Sequence, residues 1–158
     1  MSEMPPGDRV VEALRLYSEA SHDILLAFSR WLGVRHGDAR AFSEVAYAAE
    51  RGEPLTPAAL ARRVGLTSGA TTSLLDRLEA AELVVRSREH ADRRLVTLRP
   101  SPTRGRRATA FFDPVADRVD ALMAHHPPAF LESVETLLGE LHEALTRVRA
   151  DLDEATDA

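Results

Sequence analysis

The chain has 158 residues, a formal net charge of −5 at pH 7, and 44% hydrophobic but only 5% aromatic residues. This composition favours a helix-rich fold, either of one compact unit or of a small domain with long helices that need a partner. The absence of cysteine excludes disulfides, thiol chemistry and cysteine zinc sites. Because the first residues lack a signal-peptide pattern and no apolar run approaches the ~20 residues of a membrane span, we expect a cytoplasmic protein with no membrane partner.

Two amphipathic helices are predicted in residues 1–53. In the first, which Asp8 can cap and which runs to about Leu32, apolar residues recur every three or four positions. Glycines end this helix. Asp38 can cap a second helix that runs through Arg51, where a Gly-Glu-Pro segment stops it. We assign this region to dimerisation and to support of the domain that follows.

A helix-turn-helix is predicted from residue 56 onward. Thr56 is a good N-cap with proline at the first helical position, and the helix that it starts reaches Val64. Gly65 supplies the turn, Leu66 is expected to be a buried plug, and Thr67 caps a longer second helix. Two short helices joined through a glycine turn are typical of DNA-binding domains.

A two-stranded hairpin, the wing, follows the second helix of this motif. Residues 84–87 and 95–98 are β-prone runs that flank a polar tip containing residues 88–93. Prolines at positions 100 and 102 end the second strand, because proline cannot donate a hydrogen bond to a β-ladder. Residues 54–102 are therefore predicted to form a winged helix-turn-helix.

Residues 103–158 are predicted to be helical. A fifth helix runs from about Thr103 to Met123 with a kink at Asp113-Pro114, and residues 125–128 form a hinge. The last helix, residues 129–152, carries apolar residues at alternating spacings of four and three, which is a heptad seam. We expect this seam and the first helix to pair between two protomers, and the alternative is pairing within one chain. The predicted fold is mainly α with a small β-hairpin: a winged helix-turn-helix flanked by N- and C-terminal dimerisation helices.

Positive charge is concentrated in the winged helix. Between Thr56 and Arg107 there are 11 Arg and 5 Asp or Glu, a balance of +6, whereas the rest of the chain has 9 Arg and 20 Asp or Glu, a balance of −11. A basic module on an acidic protein indicates a polyanionic partner that is met by one face. Double-stranded DNA is the best candidate, because neutralisation of phosphates dominates such affinity.

The second helix of the motif would present small and hydroxyl-bearing side chains outward. On a helical wheel with Leu74 at the centre of the buried side, Thr71 lies at the margin. The outward positions near the helix start are Ser68, Gly69 and Thr72. Small residues let a helix enter the major groove, where hydroxyls bond phosphates or base edges, and Arg77 lies to one side within reach of the DNA backbone.

Arginines near the tip of the hairpin suit the minor groove, because narrow A·T stretches concentrate negative potential there. Asp92 is interpreted as a brace that hydrogen-bonds the loop or pairs with an arginine and so fixes its direction. The candidate DNA contacts are Thr56, Ser68, Gly69, Thr71, Thr72, Arg77, Arg88, Arg93 and Arg94.

Several short motifs stand in an order that is specific in combination. They are Leu55-Thr56-Pro57, Leu60-Ala61, Val64-Gly65, Ser68, Leu75-Asp76-Arg77-Leu78-Glu79, Leu83-Val84, Asp92-x-Arg94 and Gly105-Arg106. In these motifs and in its flanking helices the chain resembles the MarR family of winged-helix regulators over nearly its whole length. The resemblance implies a homodimer whose terminal helices interlock and hold two winged helices over a near-palindromic site. It also implies that Ser68, Thr71 and Thr72 match major-groove positions. Arg94 matches the minor-groove arginine, or Arg93 if the wing register differs by one.

The chain departs from the family pattern at two places. Glu82 stands where the family usually has glycine, so that either the helix ends differently or the site tolerates ~1 kcal/mol of backbone strain. Residues 99–107 form a proline-broken, Arg-rich exit from the wing. This exit either adds phosphate contacts or only solvates the start of the fifth helix.

Many members of the family release DNA when a small aromatic or phenolic ligand fills a cleft beside the winged helix. Candidate lining residues here are His22, Phe28, Trp31, His36 and Phe42, each of which has core or surface packing as its alternative. The predicted function is that of a sequence-specific transcriptional regulator, more readily a repressor than an activator. A winged helix used for protein contact is the alternative, and its binding would barely depend on salt. Because no nucleophile–base pair, phosphate loop or metal cluster is recognisable, we expect no enzyme activity, cofactor or metal.

Overall fold

A computed structural model describes residues 4–87 and 96–156. The chain divides into two compact units, and the boundary falls after Phe112. The first unit contains α1 (Pro6–Leu32), α2 (His36–Glu50), α3 (Pro57–Val64), α4 (Ser68–Ala80), β1 (Val84–Ser87), β2 (Thr97–Pro100), α5 (Arg104–Thr109) and a 3₁₀ turn (Ala110–Phe112). The predicted fold class, mainly α with a small β-hairpin and a winged helix-turn-helix, is confirmed.

The first two helices begin earlier than their predicted caps. α1 begins at Pro6 without a side-chain cap, and Asp8 lies in its first turn, where a carboxylate interacts favourably with the helix dipole. α1 ends as predicted at Gly33, which adopts a left-handed φ of 71°. α2 begins at His36, so that Asp38 lies inside its first turn. The predicted capping roles of Asp8 and Asp38 are therefore wrong.

The core of the first unit draws on helices α1 to α4 and on both strands. Phe28 of α1, Phe42 of α2 and Leu60 of α3 are fully buried. Leu74 and Leu78 place one side of α4 in the same core. Burial of each such side chain stabilises the fold by roughly 1.5–3 kcal/mol. This packing holds α4 in place while its opposite side remains exposed.

The hairpin is a short antiparallel ladder in which Val84 pairs with Pro100 and Ser87 with Thr97. The first strand matches its prediction. The second was predicted over residues 95–98, whereas β2 runs from Thr97 to Pro100, because the partner strand and the burial of Leu98 set the register. The Leu98 N–H donates to the Leu55 carbonyl at 2.8 Å, which ties the base of the wing to the residues before α3.

The predicted fifth helix, residues 103–123, is broken before Asp113 rather than kinked at Asp113-Pro114. α5 ends at Thr109 and the 3₁₀ turn follows. The rings of Phe111 and Phe112 in this turn lie 5.0 and 4.6 Å from the ring of Phe28. The break therefore lets two adjacent aromatic residues reach the core.

The second unit consists of α6 (Asp113–Met123) and α7 (Pro128–Thr156), joined by residues 124–127. None of its described side chains is fully buried. The seam residues Leu138, Leu145 and Leu152 are 44%, 70% and 61% exposed. Across residues 4–87 and 96–156, we find no helix with the length and hydrophobicity needed to span a membrane.

Candidate nucleic-acid interface

Local capping interactions hold the helix-turn-helix together. The hydroxyls of Thr56 and Thr67 each accept a hydrogen bond from the backbone N–H three residues on, at 3.2 and 3.4 Å. Gly65 closes the turn with a left-handed φ of 71°. These three predictions are confirmed. The expectation that Leu66 is a buried plug is wrong, because its side chain is 39% exposed.

The start of α4 presents small side chains to solvent. Ser68, Gly69 and Thr72 are all exposed, as predicted. A Cβ atom added at Gly69 would meet no atom within 4 Å, so there is open space next to the helix. The Thr72 hydroxyl donates to the Ser68 carbonyl at 3.1 Å, which fixes its direction on the helix surface. That these residues contact DNA stays a prediction.

Thr71 does not share this exposed surface. It is only 4% exposed, and its hydroxyl donates to the Thr67 carbonyl at 2.8 Å. The hydroxyl is therefore satisfied within the helix. Of the three hydroxyl-bearing residues assigned to the major groove, Thr71 is the least exposed, and its contact with DNA stays a prediction.

A groove of about 490 Å³ lies between α3 and the start of α4. Ser68 and Thr72 line it from α4, and Arg62 and Arg86 contribute the charged side chains. Both arginines were missed in the sequence, although a helical wheel of α3 would have placed Arg62 on its exposed side. In the part of the chain that the structure describes, the Arg62 side chain has no hydrogen bond or ion pair.

Arg86 of β1 neutralises the acidic residues of α4. Its guanidinium lies 3.2 Å from a carboxylate oxygen of Glu79 and 3.5 Å from one of Asp76. An exposed pair of this kind contributes at most about 1 kcal/mol to stability. Its electrostatic effect matters more here, because these two carboxylates would otherwise repel a phosphate near the groove.

Arg77, predicted to reach the DNA backbone, is bound within the protein. Its Nη2 and Nε donate to the two carboxylate oxygens of Asp38 at 2.7 and 3.0 Å, and its Nη1 donates to the Ser73 carbonyl at 3.0 Å. Asp38 is buried, and its hydrogen bonds raise the pKa of the Arg77 guanidinium. This bidentate pair joins α2 to α4, and that the half-exposed Arg77 also reaches the DNA backbone stays a prediction.

The remaining wing predictions concern Arg88, Asp92, Arg93 and Arg94. All four lie outside the described residues. The two strands that lead to this segment are described, and their described pairs run from Val84–Pro100 to Ser87–Thr97.

Glu82 adopts the strained backbone conformation that the sequence raised as one of two possibilities. Its φ is 55°, in the left-handed region. The N–H of Leu83 donates to the Leu78 carbonyl at 2.9 Å, which closes the end of α4. The Ser101 hydroxyl donates to the Glu82 carbonyl, and the Ser101 N–H donates to the Leu83 carbonyl at 2.8 Å. Ser101, which follows β2, therefore stabilises the turn at Glu82 and Leu83 through these two hydrogen bonds.

The Arg-rich exit makes internal contacts that neither sequence interpretation anticipated. Arg104 donates from Nη1 to the Ala81 carbonyl at 3.0 Å and from Nη2 to the Leu32 carbonyl at 3.4 Å. The Arg107 guanidinium lies over the Trp31 ring, 5.7 Å from its centroid. At Gly105, an added Cβ would lie 2.8 Å from the Leu83 carbonyl oxygen, so only glycine fits.

The candidate ligand-binding residues do not line one cleft. Phe28 and Phe42 are fully buried in the core, with their ring centroids 5.9 Å apart. The rings of His22 and His36 lie 4.9 Å from each other. Trp31 is 46% exposed and borders a small pocket of about 160 Å³ with Arg104 and Arg107. The geometry therefore corrects Phe28 and Phe42 to core residues, and Trp31 is the candidate that faces a pocket.

Comparisons with known proteins agree with this architecture. Residues 48–96 match the model of the MarR family. The uncharacterized HTH-type transcriptional regulator YcgE of Bacillus subtilis (strain 168) is 29% identical over 100 residues, which cover 61% of this chain and 65% of YcgE, just under two thirds of that relative. The fold is shared with the transcription regulator MarR from Oenococcus oeni PSU-1 at a TM-score of 0.61 and 15% identity, covering 85% of this chain and 98% of that one. It is also shared with S. aureus MepR bound to ethidium bromide at a TM-score of 0.53 and 16% identity, covering 85% and 95%. Over residues 48–96 the chain is thus similar to the MarR family, and its fold is that of these two solved structures.

Proposed function

We propose that this protein regulates transcription by binding double-stranded DNA in a sequence-specific way. The observation that carries the proposal is the exposed start of α4, where Ser68, Gly69 and Thr72 lie beside a groove bordered by arginines. Small side chains let the helix approach the floor of the major groove, and hydroxyls bond base edges or phosphates. Arg62 and Arg86 would bind phosphates on that side of the helix.

The wing would extend the contact into the minor groove. We assign this role to Arg94, or to Arg93 if the register differs by one, with Asp92 as the brace and Arg88 near the backbone. The hydrogen bond between Leu98 and Leu55 supports this assignment, because it anchors the base of the hairpin to the helix-turn-helix.

We further propose that two copies bind as a homodimer to a near-palindromic site. The exposed seam of α7 supports a second copy, and so do exposed apolar residues of α1 such as Val10 and Tyr17, which lie seven residues apart on one side of the helix. Water-exposed apolar stripes on long helices are typical of helices that pair. A dimer of this kind would place its half-sites about one helical turn apart.

We also propose that the protein is a cytoplasmic repressor that releases DNA when it binds a small aromatic ligand. MepR, which shares the fold, binds ethidium, a planar aromatic compound. In this chain the pocket beside Trp31 offers an indole face next to two guanidiniums, those of Arg104 and Arg107. Because Arg104 also bonds the end of α4, a ligand in this pocket would act directly on the DNA-reading helix.

The proposal can be tested by selecting bound duplexes from a randomised pool with the purified protein. We expect a near-palindromic sequence, and a steep linear fall of log affinity with log salt concentration. Thr72→Ala should weaken binding to the selected duplex several-fold and leave a mixed-sequence duplex unaffected. Thr136→Ala is the matched control, since its hydroxyl also bonds the carbonyl four residues earlier, but on α7. Equal, salt-insensitive binding to both duplexes would instead support the protein-contact alternative.

A further inference from the structure

We propose that Arg35 and Arg40 form a second phosphate-contact site, on the other flank of α4 from the groove bordered by Arg62 and Arg86. The inference rests on the proposed DNA-binding function and extends it to residues at the start of α2. It identifies the ligand as the sugar-phosphate backbone of the same duplex that α4 enters.

The site is a groove of about 250 Å³ formed by three segments of the first unit. Arg35, Gly37 and Arg40 line it from the start of α2, Leu66 from the turn between α3 and α4, and Arg77 from α4. Two residues of α4, Leu74 and Arg77, line this groove. On a helical wheel they lie about 140° from the α4 residues, such as Ser68 and Thr72, that line the groove bordered by Arg62 and Arg86. The two grooves therefore flank the exposed start of α4 on different sides.

The charges of this groove leave two arginines uncommitted. Among the described residues that line it, the single carboxylate belongs to Asp38, and both of its oxygens are held by Arg77. Arg35 and Arg40 are exposed, and within residues 4–87 and 96–156 their side chains have no ion pair or hydrogen bond. The Asp38–Arg77 pair thus neutralises itself, and the remaining groove attracts an anion.

The position of the groove indicates duplex DNA as the source of that anion. The major groove is about 12 Å wide, so a helix that enters it has a phosphate backbone on each side. Arg62 and Arg86 can meet one strand, and Arg35 and Arg40 are placed to meet the other. The exposed Leu66 side chain adds apolar surface beside the two arginines, where sugar carbons can pack.

The test is a double variant, Arg35→Gln with Arg40→Gln, in the full chain. Its affinity is measured for the duplex selected by the wild-type protein and for a mixed-sequence duplex, each at several salt concentrations. We expect the log–log salt slope to fall by about one for each lost contact, and the affinity for both duplexes to fall by a similar factor, on the order of tenfold. Phosphate-ethylation interference should lose one or two positions in each half-site.

The matched control is Arg51→Gln with Arg118→Gln, which removes two exposed charges at the far end of α2 and on α6. If the control changes the salt slope as much as the Arg35/Arg40 variant does, the proposal is overturned. The change in slope would then follow from the total charge of the protein and not from the position of the two arginines. If the salt slope of the Arg35/Arg40 variant equals the steep slope of the wild type, these two arginines do not contact phosphates. The proposal that α4 binds DNA would then stand, and the proposal of a second site would be overturned. Loss of discrimination between the two duplexes at constant slope would also overturn it, since that points to base readout. A wild-type protein without salt-dependent binding would refute the proposed function itself.

Discussion

Arg63, Arg77 and Arg86 each lie against a carboxylate of the same chain: Glu44 at 3.1 Å, Asp38 at 2.7 Å, and Glu79 at 3.2 Å. Their charges are therefore partly neutralised before any DNA arrives. The exposed pairs of Arg63 and Arg86 can open at little cost when a phosphate competes, because surface ion pairs contribute at most about 1 kcal/mol. The bidentate pair of Arg77 with a buried carboxylate is harder to exchange. At the scale of single residues, the number of arginines overstates the positive charge available to DNA.

The left-handed backbone of Glu82 strains the turn that follows α4. Glycine has no Cβ and adopts a φ of 55° without strain, so Glu82→Gly should raise the free energy of unfolding by about 1 kcal/mol. Urea denaturation at fixed protein concentration measures the change. Ala81→Gly is the control, since Ala81 has a φ of −79° and glycine there should destabilise the protein by roughly 0.5–1 kcal/mol. A destabilising Glu82→Gly would show that side-chain contacts of Glu82 outweigh its strain.

At the scale of elements, the exit from the wing fastens the end of α4. Ser101 bonds the turn at Glu82 and Leu83, and Arg104 bonds the carbonyls that end α4 and α1. Gly105 lets the start of α5 lie directly against the Leu83 carbonyl. These contacts connect the wing, α4 and α1 through backbone groups. The orientation of α4 thus depends on residues outside the helix-turn-helix.

Arg104→Met tests this connection, because methionine keeps the aliphatic stem and removes both hydrogen bonds. Two helix-end carbonyls lose a charged donor, and we expect a loss of about 1–2 kcal/mol in the free energy of unfolding. The affinity for the selected duplex should fall as well. Arg106→Met is the control, as an exposed neighbour expected to change stability by less than 0.5 kcal/mol. Equal effects of the two variants would contradict a specific role for Arg104.

The sequence predicted those features of the fold that depend on neighbours in the chain. Thr56, Gly65 and Thr67 set the helix-turn-helix through bonds that span three or four residues, so their types and spacing suffice. The position of β2 depends on pairing with β1, and β-propensity favoured a run that begins two residues early. Likewise, the break before Asp113 follows from two rings that pack on Phe28, far away in the sequence.

The candidate site was predicted only in part for the same reason. Exposure of Ser68 and Thr72 follows from helical periodicity. The role of Arg77 does not, because its partner Asp38 stands 39 residues earlier. Phe28 and Phe42 were candidate ligand contacts by residue type, yet an aromatic residue that lines a pocket and one that fills a core look alike in a sequence.

At the scale of the whole molecule, the acidic residues outside the winged helix and the apolar seam of α7 would both govern how the protein meets DNA. An acidic surface outside the winged helix repels phosphates and so favours contact of DNA with the positive face. In a single chain the seam is exposed to water, and Leu145 is 70% exposed. A second copy of the chain would bury this apolar surface. Dimerisation would then bring two positive faces to one duplex and multiply their affinity through effective concentration.

Leu145→Glu tests dimerisation through α7, because it places a charge in the middle of the apolar seam. In a dimer the two carboxylates would be buried against apolar surface, so we expect dissociation to monomers in sedimentation equilibrium at micromolar concentration. The selected near-palindromic duplex should bind at least tenfold more weakly, whereas binding of one protomer to a half-site duplex should be unchanged, because Leu145 lies outside the winged helix. Ala150→Glu adds the same charge to the opposite side of α7, where it is exposed, and should leave both the dimer and the affinity intact. If Leu145→Glu stays dimeric, the seam is not the interface. If it becomes monomeric and still binds the palindrome as tightly as the wild type, DNA recognition does not require the dimer.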